Sequence, residues 1–410
     1  LLGILFSIWV VIWCFIIIKR YFRDIVYSWQ EPVLKYPVLI FESDDWGAGP
    51  LSQITALSRI KEILARYSDK KGHHPVMTLG VVLSIPDSNK IIRTGYRSYF
   101  AKRLDHPDFL PIKTMMLNGL TQGVFDLHLH GMAHYWPDNL MRALQTDKKV
   151  QQWLNQGYLL TEELPSTLQS RWTNNKQLPT IPLNHNEVDR AVKEEVEEFK
   201  KQFGTKPTVV VPPTFIWDEF VEQSWRKCAI NYLITPGQYY DHRDKRGKPS
   251  GNEEKIVNGQ LSRTGLTYMV RNDYFEPGLG HTAEKAVKEL DIKTHLAQPT
   301  LLEIHRFNFI QNEAITKNSL LELEKVITLA LEKYPDIMFL STQVLAEKYS
   351  SKNKYFIEKS YLIRLLVCME RLWINHTIKK WLYISGLFPI FILSHIVQQQ
   401  LRSPDSINQK

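Results

Sequence analysis

Three short segments of this chain hold residue types that could carry out hydrolytic chemistry. The first is Ser43-Asp44-Asp45-Trp46-Gly47, which follows an apolar run. Two adjacent carboxylates behind a buried strand are costly to place unless a cation or a proton transfer uses them. The second runs from Asp126 to His134 and puts three of the chain's 13 histidines, His128, His130 and His134, within seven residues. His130 and His134 are four apart, which sets both imidazoles on one side of a helical turn and lets them share a tetrahedral metal. His128 and His130 are two apart and share a face if the strand continues through them. The third segment is Leu302-Glu303-Ile304-His305-Arg306, with a histidine closing an apolar run. Each has an inert alternative: a solvated turn for the acidic pair, core polar groups for the cluster, a structural histidine for the last.

The elements that must position these residues follow from hydrophobic periodicity. Apolar runs predict strands at 36–42, 76–83, 123–129, 208–211, 231–235, 266–271, 301–305 and 336–340. Between them lie amphipathic helices, predicted at 51–67, 138–155, 186–203, 218–228, 282–290 and 317–334. The clearest places Val188, Val192, Val196, Phe199 and Phe203 on one face and stops at Gly204. Continuous apolar strands alternating with helices indicate a mainly parallel α/β sheet, here a distorted (β/α) barrel of about seven strands. All three segments fall at strand ends, where such barrels build their sites. Two polar stretches, about 156–185 and 237–265, read as loops.

Length and charge set the frame around this domain. The chain has 410 residues, 44% hydrophobic and 23% charged, with a formal charge of +8. The excess belongs to the ends: residues 1–30 carry +2, residues 351–410 carry +6, and 31–350 is neutral with 39 basic and 39 acidic groups. A basic nucleic-acid-binding core is therefore not expected. Residues 1–18 are apolar apart from one Ser and run into Lys19-Arg20, the pattern of a transmembrane helix over 1–20 rather than a cleaved signal peptide. A weaker apolar run, 381–397, follows a basic amphipathic stretch, 361–380, whose Arg364, Arg371 and Lys379 are expected to face lipid head groups. These features divide the chain into an anchor (1–20), a central (β/α) barrel domain (31–350) and a membrane-associated tail (351–410). They place it at a cell membrane of bacterial type, with lipid as a partner and the side undecided. Three cysteines, Cys14, Cys228 and Cys368, are too few and too far apart for a disulfide scaffold.

Taken together, the three segments resemble the polysaccharide deacetylase family of the NodB-homology type (carbohydrate esterase family 4-like) over about residues 36–345. Ser43-Asp44-Asp45-Trp46-Gly47 is similar to its first, Asp-Asp-containing motif. His130-Gly131-Met132-Ala133-His134 is similar to its His-x-x-x-His motif. Val211-Pro212-Pro213-Thr214-Phe215 corresponds to its proline motif, and His305 to its terminal histidine. The resemblance implies that Asp45, His130 and His134 bind one divalent metal, zinc by preference with cobalt or nickel also suited. It implies Asp44 as the catalytic base, His305 as the catalytic acid and an acetylated carbohydrate as the partner. Trp46, Trp136 and Trp217 are candidates to stack on sugars. The chain departs from the family at Trp46, inserted before Gly47, and at Val210-Val211, where the family carries an arginine. Arg263, Arg271 and Arg306 are candidates to replace that cation. Two rival readings remain: a metal phosphoesterase or amidohydrolase built on His128-x-His130, and a glycan-binding domain without turnover.

Overall fold

The structure is a computed structural model and describes residues 2–157, 159–252 and 254–401. Leu1 and 402–410, parts of the expected anchor and tail, lie outside the described residues, as do Tyr158 and Glu253 in the two expected loops.

Among the described residues nine strands form one sheet: β1 (Val38–Gly47), β2 (Met77–Val82), β3 (Phe125–Leu129), β4 (Val209–Val210), β5 (Tyr232–Thr235), β6 (Thr267–Val270), β7 (Asp273–Tyr274), β8 (Thr300–His305) and β9 (Met338–Phe339). Every pairing within it is parallel. The order is β6-β5-β4-β3-β2-β1-β8-β7, with β9 also pairing β1. Strands β6 and β7 stand at opposite ends of this order, yet only Arg271 and Asn272 separate them in the chain. One short stretch, 267–274, therefore pairs with β5 through its first half and with β8 through its second. The sheet curls round until its two ends meet there.

The alternation of side chains along each strand assigns the two faces. Leu39 and Phe41 of β1, Leu79 and Val81 of β2, and Leu302 and Ile304 of β8 join one large apolar cluster with residues of the surrounding helices. Those helices include Ser52–Leu64, Leu110–Thr121, His185–Phe203 and Glu313–Lys333. Val38, Ile40, Val209, Ile234, Met269, Leu301 and Met338 fill the opposite, inner face with a second cluster. Further along the same inner rows the composition changes. Ile40 is followed at two-residue steps by Glu42 and Asp44, Met269 by Arg271, and Leu301 by Glu303 and His305. The interior is oil at the amino ends of the strands and ionic at their carboxyl ends.

Several local expectations are corrected. The helix expected over 138–155 is two helices, Pro137–Thr146 and Lys148–Asn155, because Asp147 leaves helical geometry and caps the second through the Lys149 amide. The helix Leu110–Thr121 was not foreseen. As expected, His185–Phe203 ends at Gly204, which takes a left-handed φ of 78°. The stretch 237–265 contains a two-stranded ribbon, His242–Arg243 with Pro249–Ser250. Its Arg243 is buried and donates to Ser170 Oγ at 2.8 Å and to the Gly247 carbonyl at 2.7 Å.

The reading of a membrane-spanning anchor is overturned. Among the described residues no helix is long and apolar enough to cross a membrane. The amino-terminal helix, Leu2–Gln30, breaks helical geometry at Tyr21 (φ −114°, ψ 25°). It packs on the carboxy-terminal helices rather than standing alone. Trp9 Nε1 donates to the Ser385 carbonyl at 3.0 Å, and the rings of Trp13 and Trp381 lie 5.8 Å apart. The basic residues of the helix Tyr361–Trp373 point into protein. Arg371 is buried and donates to the backbone carbonyls of Leu296, Ser28, Glu31, Pro32 and Ala297. Arg364 donates to the Trp29 carbonyl at 2.9 Å and lies over that indole. Lys379 lies 4.6 Å from the Trp373 ring. Carbonyls and indoles of this chain occupy the places where head groups were expected.

Candidate active site

Strand β1 extends five residues beyond the predicted end at 42, so the acidic pair sits inside the sheet and not in a turn. In a regular strand two neighbouring side chains face opposite ways. Here the register with β2 shifts between Ser43 and Trp46, and Asp45 adopts a left-handed φ of 73°. That bulge turns both carboxylates toward the carboxyl edge of the barrel. Two glycines make the geometry possible. A Cβ on Gly80 would lie 2.3 Å from Asp44 Oδ1, and one on Gly47 (φ 113°) would lie 2.4 Å from the Val82 carbonyl oxygen. Gln53 braces the turn beyond, accepting from the Gly47 amide at 3.0 Å and donating to the Gly47 and Pro50 carbonyls at 3.1 Å.

Asp45, His130 and His134 are brought together. One potential ligand atom of each lies within 4.8 Å of the others, and all three residues are buried. Nε2 of His130 is 3.6 Å and Nε2 of His134 is 3.5 Å from Asp45 Oδ1. The His130–His134 segment is a bend, not the helical turn expected from its spacing. Nδ1–H of His130 donates to the Val211 carbonyl at 2.8 Å, which leaves the Nε2 lone pair free to ligate. The proline segment 211–215 thus orients a ligand. Asp45 Oδ1 and His130 Nε2 are buried without a hydrogen-bond partner. An orphaned carboxylate oxygen and an orphaned imidazole nitrogen, with the second imidazole of His134 beside them, are a fit for a divalent cation. Burial, against the pull of Asp45, brings His134 down to about 4, so its imidazole is neutral at pH 7. His128, by contrast, stands apart from this group and faces Asp126 Oδ2 at 3.5 Å.

Beside the trio lies an ionic network. Asp44 and His305 are register partners on β1 and β8, as are Glu42 and Glu303 one step below. Arg271, at the seam of the sheet, grips Asp44 through both of its terminal nitrogens, Nη2 reaching Oδ1 at 2.8 Å and Nη1 reaching Oδ2. The same guanidinium donates to Glu42 Oε2 at 3.0 and 3.3 Å, and Phe215 underlies it with Cζ 5.5 Å from the ring centre. Of the three candidate arginines, Arg271 is the one that meets Asp44. Arg263 is exposed, and Arg306 is turned to Glu162 at 2.9 Å. Burial alone would raise the Asp44 carboxyl, but Arg271, with His130 and His305 behind it, holds it well below the usual range. Nδ1–H of His305 donates to Glu276 Oε1 at 2.6 Å. Burial alone would lower His305, but Glu276 and Glu303 raise it to about 10.

The sequence reading missed Glu42, Glu276 and Glu303. For two of them a signal existed: Glu42 and Glu303 interrupt apolar runs two residues before Asp44 and His305, on the same face. Glu276, in the turn after β7, carried no pattern. Two of the tryptophans are core residues. Trp46 is fully buried and donates to Ser43 Oγ at 2.8 Å, and Trp217 is fully buried and donates to Glu222. Trp136 lines a cavity of about 410 Å³, with Tyr99, Arg171 and Met132 among its walls.

The class defined by these observations is a curled parallel α/β sheet with an acid–histidine site at its carboxyl edge. No family sequence model and no curated protein matches the chain. In structure the chain is similar to polysaccharide deacetylases. One is a Mycobacterium smegmatis protein described as such, at 11% identity and TM-score 0.40, covering 79% of this chain and 93% of that one. Another is a peptidoglycan deacetylase from Bacillus subtilis, at 11% identity and TM-score 0.35, covering 80% and 95%. A 4-alpha-glucanotransferase from Thermococcus litoralis also matches, at 11% identity and TM-score 0.38, covering 79% of this chain and 41% of that one.

Proposed function

We propose that this chain is a metal-dependent hydrolase that removes acetyl groups from N-acetyl amino sugars of a poly- or oligosaccharide. The observation that carries this reading is the convergence of Asp45, His130 and His134 beside the laterally paired Asp44 and His305. A divalent cation held by Asp45, His130 and His134, with zinc preferred and cobalt or nickel suited, would supply Lewis-acid polarisation of the acetyl carbonyl. Asp44, kept ionised by Arg271, accepts the proton of the attacking water. His305, held as imidazolium, gives a proton to the departing amine, which leaves poorly without one. Val211 fixes the ring of His130 through its carbonyl. Trp136 offers an aromatic wall to a sugar.

The rival based on His128-x-His130 loses its footing because His128 faces Asp126. The missing family arginine was the ground for a domain without turnover. Arg271 brings a cation to Asp44 by another route, which supports turnover. The test is acetate release by the full chain from N-acetylated chito-oligosaccharide, with O-acetylated xylo-oligosaccharide in parallel. Release that stops on metal removal, returns with zinc and is abolished by Asp44→Asn supports the reading. Release that survives the pair His130→Ala/His134→Ala overturns it. Phosphate release from a phosphoester without acetate release favours the rival.

A further inference from the structure

Glu303 is the part of the ionic network with no settled role. It is 4% exposed, it stands on its strand between Leu301-Leu302 and Ile304, and among the described residues no hydrogen bond reaches its carboxylate. A buried carboxylate without a hydrogen bond is costly, and an apolar residue would serve the strand better. Its oxygens face two groups instead: Nε2 of His305 at 3.7 Å and Nη1 of Arg271 at 4.0 Å. Glu276 meanwhile holds the other nitrogen of the same ring, Nδ1, at 2.6 Å. The imidazole of His305 is thus bracketed by a carboxylate at each nitrogen. A neutral imidazole donates from only one nitrogen and would turn a lone pair toward one of these anions. Only the imidazolium presents a proton to both.

We infer that Glu303 is a positioning residue that keeps His305 doubly protonated, with a transferable proton on Nε2, the nitrogen not committed to Glu276. The inference deepens the deacetylase reading and rests on it for its catalytic meaning, since an amine leaving group needs a proton donor. The other groups around the ring fit this role. Asp44 and Asp45 of β1 add negative field, Arg271 from the seam and His134 from the bend oppose it, and Arg306 is turned to Glu162. Phe307 covers one face of the ring with its centre 6.1 Å away. Around Glu303 itself stand Arg271, His305, Asp44 and Glu276, with Tyr274 its register partner on β7. Burial raises Glu303 to about 7, against Arg271 and His305. Its grip on His305 is therefore complete above that pH and weakens below it.

The experiment is a histidine-selective ¹⁵N NMR titration of the full chain, metal-free and zinc-loaded, with His305 assigned through the signal lost in His305→Asn. In the unmodified chain both ring nitrogens of His305 are expected to carry protons at pH 8. In Glu303→Gln its proton affinity should fall at least tenfold, and Glu303→Asp should restore part of it. The alkaline limb of the pH–rate profile for acetate release should move to lower pH by the same factor. A neutral His305 ring at pH 8 in the unmodified chain overturns the inference, and this arm needs no variant to fold. An unshifted titration in a folded Glu303→Gln also overturns it. If the titration behaves as expected but no acetate is released, the deacetylase reading fails and the Glu303–His305 coupling stands.

Discussion

Asp44 and Asp45 are neighbours in the chain and opposites in circumstance. Both are buried, yet both oxygens of Asp44 accept from Arg271, while Oδ1 of Asp45 faces two imidazoles with no proton to bond. Asp44 already has its cation, covalently part of the chain. Asp45 sits in a place that becomes electrostatically sensible when a cation arrives. The bulge between them lets one strand serve both ends: a compensated carboxylate suited to proton work and an uncompensated one suited to ligation.

The contrast can be broken from either side. The largest effect is expected from removing both imidazoles, His130→Ala with His134→Ala. Zinc binding measured by calorimetry should disappear, and acetate release should fall about 10⁴-fold, some 5 kcal/mol of transition-state stabilisation. Asp44→Asn should cut turnover about 10³-fold and leave zinc affinity nearly unchanged. If zinc affinity fell with it, the two carboxylates would not be separable. Arg271→Met should destabilise the fold by about 3–5 kcal/mol in denaturant titration, because it strands the buried Asp44 and leaves Glu42 with only the hydroxyls of Thr78 and Thr342. Stability should also depend on pH through His305. Its affinity for a proton is raised in the folded chain from the ordinary 6.5 to about 10. The native state thus binds more protons in that interval, and its contribution is full below 6.5 and lost as pH rises through 10. A denaturation midpoint that falls between pH 7 and pH 10, and falls less in Glu276→Gln, is the expected result. The smallest effect is expected at Trp46→Phe, about 1–2 kcal/mol, with turnover kept, because Trp46 is core and its nitrogen serves only Ser43.

What the sequence made legible follows the physics of each signal. Asp44, Asp45, His130, His134 and His305 could be singled out because charged or metal-binding types stood at the ends of apolar runs. The strand–helix alternation was equally plain, since parallel strands covered on both faces leave long apolar stretches. The bulge at Asp45 was not legible, because a left-handed aspartate is fixed by its neighbours in space and not by local pattern. Arg271 and Glu276 depend on where the seam of the sheet falls, which no local periodicity reports. The terminal helices misled because the run at 1–18 reads in sequence as a near-unbroken apolar stretch, whereas no helix among the described residues is long and apolar enough to cross a membrane, and Trp9 and Trp13 pack on the carboxy-terminal helices.

The stretch 267–274, which pairs with β5 on one side and β8 on the other, also carries Arg271 between its halves. The residue that neutralises Asp44 lies 227 positions away in sequence, at the joint where the sheet meets itself. Ring closure and charge compensation are consequently one event. A chain whose barrel is left ajar has an Asp44 without its guanidinium partner. The joint thereby ties completion of the scaffold to the charge environment of the carboxylate at its centre.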